Sequence, residues 1–217
     1  MNLGLTIQPA RKTRILDISL EISEKMLVYP GNTPPRINFI RKMPDGNSNL
    51  SEIVIGSHTG THVDSLLHVK NGASAVTDLP YDSLVGPSRV IDLSQIETGI
   101  TSRDLSPHKI RSGEIILLKT RNSKRGYKEF YEDFVFMTED GADYLVHQGV
   151  KTIGHDYIAI QKFRSGNVNV HKMLLEAGLT IFEGLNLTEV RPGRYYFVGL
   201  PLKVRTEAAP ARALLLR

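Results

Sequence analysis

HTGTHVDSLLH, residues 58–68, packs three histidines and an aspartate into eleven residues of a chain with seven histidines in all. His58, His62, Asp64 and His68 share one parity, so an extended chain would turn all four to one side. A helix would instead make 58/62 and 64/68 separate i,i+4 pairs on different faces. Ser57, Thr59, Thr61 and Val63 favour extended backbone, and Gly60 permits a bend. The sequence therefore predicts a strand over 50–57 running into an extended or bent segment on which the four polar groups converge. Three imidazoles and a carboxylate suit a divalent cation, with neutral nitrogen donors beside one compensating charge; Zn²⁺, Mn²⁺ or Fe²⁺ fits such a set. A polar face that only hydrogen-bonds is the ordinary explanation of one histidine, but a weaker one for this cluster.

One segment rarely completes a metal site, so further ligands must come from elsewhere. His108 and His147 fall in predicted helices and read as surface residues. His155 and Asp156 follow a predicted strand, where His155 reads as a strand-end histidine. His171 begins a helix and Glu183 ends the strand after it, so a helix–turn–strand hairpin can bring these two to one edge of a sheet.

Short β-branched runs predict strands at 14–20, 37–40, 50–56, 89–93, 114–120, 151–155, 179–184, 195–204 and 212–216. Helices are predicted over 138–149 (Thr138 as N-cap, Gly149 as stop) and 169–178 (ending at Gly178). A third is predicted over 101–110, where Thr101 and Asp104 resemble a capping box and Pro107 intrudes. The first half reads as nearly all β, with the helices after residue 100. The sum is an α/β chain with a mixed sheet and few helices.

At 217 residues and 41% hydrophobic, the chain can bury a sizeable core, and no Pro/Ser/Gly linker divides it, so one domain over 1–217 is expected. The net charge of +4 is scattered. Its densest groups, RKTR (11–14) and RNSKR (121–125), read as exposed loops, and no nucleic-acid partner is expected. The absence of cysteine excludes disulfides, thiolate ligands and a cysteine nucleophile. No run has the length of a signal peptide or membrane span, so a cytoplasmic protein with no membrane partner is expected.

HTGTHVDSLLH resembles the H-x-G-T-H-x-D-x-x-x-H motif of the metal-dependent cyclase family, which includes the bacterial kynurenine formamidases and has isatin hydrolase as a relative. LDISLEISEKMLVYPGNTPP is similar to that family's N-terminal strand and aromatic-Pro-Gly turn. VKTIGHDYIAI is similar to its G-x-D strand, the segment from Val170 to Val204 to its H-x-x-L-L and E-G-L stretches, and PARALLL to its last strand. The resemblance implies a swivelling β/β/α-like fold and one or two divalent ions per chain, Zn²⁺ first and Mn²⁺ second. It implies that His58, His62 and Asp64 hold a first ion, and that Asp64, His171 and Glu183 hold a second, with Glu183 shared. By the same resemblance His68 is the proton donor and acceptor, and Tyr29 stands where the formamidases carry a substrate-contacting Trp. The implied activity is metal-dependent hydrolysis of an amide in a small-molecule substrate, by activated water, in a homodimer or larger assembly. Isatin-type ring opening, lactone hydrolysis, or a non-catalytic ligand-binding member of the fold are the other readings. The chain departs from the family in three places: Ser65-Leu66 replaces Ala-Pro, Tyr29 replaces Trp, and His155 stands where an apolar residue is common.

Overall fold

A computed structural model describes residues 14–217; of the RKTR group only Arg14 falls among them. In chain order the strands are β1 (Ile15–Asp17), β2 (Arg36–Arg41), β3 (Leu50–Val54), β4 (His62–Asp64), β5 (Val85–Asp92), β6 (Gly99–Ile100), β7 (Ile115–Lys119), β8 (Phe136–Met137), β9 (Thr152–His155), β10 (Thr180–Glu183), β11 (Gly193–Pro201) and β12 (Ala208–Leu216). The helices are α1 (Tyr81–Leu84), α2 (Ser102–Leu105), α3 (Arg121–Arg125), α4 (Glu139–Gln148) and α5 (Asn169–Glu176). The architecture is mixed α/β with few helices, as expected.

Eight strands form one sheet in the order β1-β12-β11-β5-β7-β9-β10-β4, and β4 pairs again with β12. That second pairing closes the sheet into a barrel. β5, β7, β9 and β10 run parallel, and the remaining pairs are antiparallel. Buried on both faces, the central parallel strand β7 (IILLK) reads as a continuous apolar run. In β7, Ile115 and Leu117 point to the barrel interior with Val63, Phe182, Phe197 and Leu215. Ile116 and Leu118 point outward with Ile153 and Ile181, under Leu145 of α4 and Leu174 of α5.

β12 begins four residues before the expected 212–216 run, and β5 four before 89–93. The early parts contain Pro210 and Pro87, which hide a strand from a propensity reading. Residues 208–210 supply the pairing that closes the barrel against β4.

α4 and α5 form as expected. Thr138 Oγ1 accepts from Gly141 N (3.0 Å), and Gly149 takes the left-handed conformation that ends α4. The 101–110 helix breaks at Pro107 into α2 and a 3₁₀ turn, while the Thr101/Asp104 capping box forms, with Thr101 N donating to Asp104 at 2.8 Å.

RNSKR is a helix, α3, and not an exposed loop. Thr120 caps it, and the buried Asp156 carboxylate accepts from Thr120 N, Thr120 Oγ1, Ser123 N and Ser123 Oγ at 2.7–3.2 Å. Asn122 exchanges two hydrogen bonds with the Val135 backbone. The basic residues take the outer side: Lys124 is exposed, and half-buried Arg125 pairs with Asp133 (2.8 Å). α1 also lies before residue 100, where no helix is expected. Among the described residues no helix is long and apolar enough to cross a membrane.

Candidate metal centre

The centre is built on the outer face of the barrel where β4 meets β10. Val63 points into the barrel core, so His62 and Asp64 point the other way, toward α5. Antiparallel register sets Glu183 opposite His62 and Ile181 opposite Asp64. His62 Nε2 lies 3.2 Å from Glu183 Oε2 and 3.6 Å from Asp64 Oδ1. From α5, His171 brings Nε2 to 3.1 Å from Glu183 Oε1 and 3.8 Å from Asp64 Oδ2. His58, in the turn before β4, places Nδ1 3.2 Å from Asp64 Oδ1. His58, His62, Asp64, His171 and Glu183 are thus brought together.

They do not converge along one extended segment. Only 62–64 is strand; His58 sits in a turn that reverses at Gly60, and His68 closes a 3₁₀ turn, Leu66–His68. The turn is pressed against the end of β10. Thr61 Oγ1 donates to Gly184 O (2.6 Å), and a Cβ on Gly184 would fall 2.5 Å from Gly60 O. Only glycine permits that approach, the more so at φ +69°.

Each of the three imidazoles facing the carboxylates has its second nitrogen turned to an acceptor. His62 Nδ1 lies 2.9 Å from Gly60 O, His171 Nδ1 3.5 Å from Gln161 Oε1, and His58 Nε2 3.5 Å from Glu207 Oε1. A proton on that far nitrogen leaves the near one as a lone-pair donor, which is the arrangement of metal-bound histidine. Gln161 is oriented by Val170 N, which donates to Oε1 at 3.0 Å. The Ile160 amide donates to Glu183 Oε1 at 2.6 Å.

His68 differs. Its ring has no hydrogen-bond or ion-pair partner among the described residues; it packs beside the rings of His58 (4.5 Å) and His171 (5.2 Å). Burial foremost, with the His58 and His171 charges, holds its pKa below the usual imidazole value, against the pull of Asp64 and Glu183. His62 moves the other way. Burial opposes its charge, but the facing Glu183 and Asp64 carboxylates push it up to about 9. Glu183 is itself held well below the carboxylate range by His171 and His62, although burial works against this.

The donor set fits a divalent cation. His62 Nε2 and both Asp64 carboxylate oxygens are buried without a hydrogen bond, a costly state that a cation would relieve. His62, Asp64 and Glu183 can close on one ion, and so can His58, Asp64 and His68, whose ligand atoms lie within 4.8 Å of one another.

A cavity of about 490 Å³ opens over the cluster, lined by His58, His68, His171 and Glu183 at its floor and by Tyr29 at its wall. Tyr29 begins a turn in which Asn32 N donates to Tyr29 O (3.0 Å) across Pro30 and Gly31, the latter at φ +97°. Its ring packs edge-on against Phe130 and Phe163. Lys162 and Arg164 line the same cavity.

Of the other histidines, two lie apart, and His155 sits on the strand next to Glu183. His147 is exposed on α4 and His108 lies near Arg89. His155 ends β9, wholly buried, with Nε2 2.9 Å from Val135 O and Nδ1 unpartnered. Gln161 and Glu207 were not singled out from the sequence. Gln161 is the one polar side chain at the end of the apolar run IAIQ; Glu207 precedes the Ala-Ala-Pro start of β12 and carries no motif.

The "Putative cyclase" family model matches residues 16–162, and the chain belongs to the cyclase family. It is 35% identical over 204 residues to a kynurenine formamidase of Salinibacter ruber, spanning 93% of this chain and 96% of that one. It is 30% identical to a kynurenine formamidase of Bacillus cytotoxicus, spanning 92% and 96%. A solved structure of a potential metal-dependent hydrolase with cyclase activity superposes with a TM-score of 0.85 at 36% identity, over 94% of this chain and 98% of that one. An isatin hydrolase superposes with a TM-score of 0.82 over 94% and 92%, at 22% identity, and shares the fold. The chain is a hydrolase of this family, with a His/Asp/Glu cluster able to hold a metal ion.

Proposed function

We propose that the chain hydrolyses an aryl formamide of the N-formylkynurenine kind to formate and the free amine, using one or two divalent ions. The carrying observation is the division among four clustered histidines. His58, His62 and His171 each face the Asp64–Glu183 carboxylates with one nitrogen and an acceptor with the other, while His68 faces the cavity with neither nitrogen engaged.

In this reading His58, His62 and Asp64 hold one ion and Asp64, His171 and Glu183 a second. Zn²⁺ suits the nitrogen-rich set best, with Mn²⁺ next. A bound ion would supply a water acidic enough to ionise near neutral pH and a Lewis acid for the carbonyl oxygen. His68, held neutral by burial, accepts the proton of the attacking water. It returns that proton to the amine nitrogen as the carbon–nitrogen bond breaks, and the formic acid so formed gives its own proton to solvent to leave as formate. Tyr29 stacks on the aryl group at the cavity wall, and Lys162 and Arg164 offer positive charge to a substrate carboxylate.

The test is turnover of the Zn²⁺- or Mn²⁺-loaded protein on N-formylkynurenine, isatin and simple lactones. The reading expects formate release from N-formylkynurenine at the highest kcat/KM. Turnover of isatin or a lactone alone would overturn it.

A further inference from the structure

β12 runs antiparallel to β4 with Ala208 opposite Asp64, which brings Glu207 beside Ser65. Ser65 N (2.9 Å) and Ser65 Oγ (2.8 Å) both donate to the Glu207 carbonyl, clamping that residue to the end of β4. Its side chain turns to the His58 turn, where Ser57 Oγ donates to Oε1 at 2.5 Å. The same oxygen faces His58 Nε2 at 3.5 Å. His58 therefore hangs between two carboxylates, Asp64 on Nδ1 and Glu207 on Nε2.

We propose that Glu207 is a positioning residue for the metal centre, accepting from the Nε2–H of His58 and so presenting Nδ1 as the lone-pair donor beside Asp64. This rests on the reading of His58 as a metal ligand. A neutral imidazole that gives Nδ1 to a cation carries its one proton on Nε2, and Glu207 is the acceptor facing it. The other two imidazoles are backed by neutral oxygens, Gly60 O for His62 and Gln161 Oε1 for His171. His58 alone has a charged backing, which fixes its ring orientation and makes it a stronger ligand. It is also the one of the three outside a strand or helix: His62 is set by β4 and His171 by α5, whereas His58 rides on a turn. An orienting carboxylate has most to contribute there.

The experiment measures Zn²⁺ affinity by competition with a chelator, and the Co²⁺ absorption bands, in the parent, Glu207→Gln and Glu207→Ala. Melting of the chelator-treated proteins runs alongside. Glu207→Gln keeps the shape and the Ser57 contact but loses the charge, so it folds as the parent does and binds metal on the order of tenfold more weakly. Glu207→Ala loses the orientation too; it approaches a loss of about 100-fold, with altered Co²⁺ bands. Metal affinity of Glu207→Gln within about twofold of the parent, with unchanged bands, overturns the proposal while leaving the metal reading intact. A parent that binds no metal overturns both.

Discussion

His62 and Glu183 stand directly opposite each other across the antiparallel β4–β10 pair, with Nε2 3.2 Å from Oε2 and both side chains buried. Without a cation, this pairing makes a protonated His62 the counter-charge for two buried carboxylates. Its pKa, near 6.5 in the unfolded chain, is raised to about 9. Stability from this group is therefore fully present below about pH 6.5 and lost as pH rises through about 9. Glu183 and Asp64, both lowered, act oppositely: their contribution is present above the carboxylate range and lost in acid. Metal binding displaces the His62 proton. The melting temperature of chelator-treated protein should fall between pH 6.5 and 9, and the gain from added Zn²⁺ or Mn²⁺ should widen over that range. A gain that shrinks with rising pH would contradict the pairing.

Gly184 holds the His58–His62 turn against β10 by an approach that leaves no room for a side chain. Gly184→Ala combines a left-handed backbone with a Cβ 2.5 Å from Gly60 O. It should cost on the order of 1–3 kcal/mol or more. Because Gly60 O also accepts from His62, metal affinity should fall along with the melting temperature. Denaturant unfolding and metal titration together check this; an unaffected Gly184→Ala protein would mean the turn is free to move away.

Tyr29 packs on the aromatic cluster and lines the cavity, with no hydrogen bond to a candidate ligand among the described residues. Tyr29→Ala should raise KM on the true substrate roughly tenfold, the loss of an aromatic contact worth about 1 kcal/mol or somewhat more, while metal content stays at the parental level. An unchanged KM would remove Tyr29 from the binding surface.

The centre was legible where chemistry is local. Three histidines and an aspartate within 58–68 point by composition to a cluster able to hold a cation, and the His171 helix and Glu183 strand follow from periodicity and their glycine stops. The parity reading placed the residues correctly but gave the wrong backbone: two turns, and not one extended run, gather His58 and His68. Closure of the barrel was hidden because the first residues of β12, Ala208 to Pro210, lack strand propensity and owe their pairing to β4. α3 was hidden for a related reason. RNSKR has the composition of a loop, and it is helical because a carboxylate more than thirty residues away, Asp156, satisfies its first turn. The acceptors behind the histidines, Gln161 and Glu207, depend on tertiary placement alone, so no spacing in the sequence marks them.

The claim that the four histidines divide into ligands and a proton carrier is tested most directly by measuring metal content and turnover together in His62→Ala and His68→Ala. His62→Ala should lose metal and activity in step. His68→Ala should keep its metal while turnover falls, by roughly 10²- to 10⁴-fold. Loss of metal from His68→Ala as complete as from His62→Ala would make His68 a ligand, closing on an ion with His58 and Asp64, and would contradict the account.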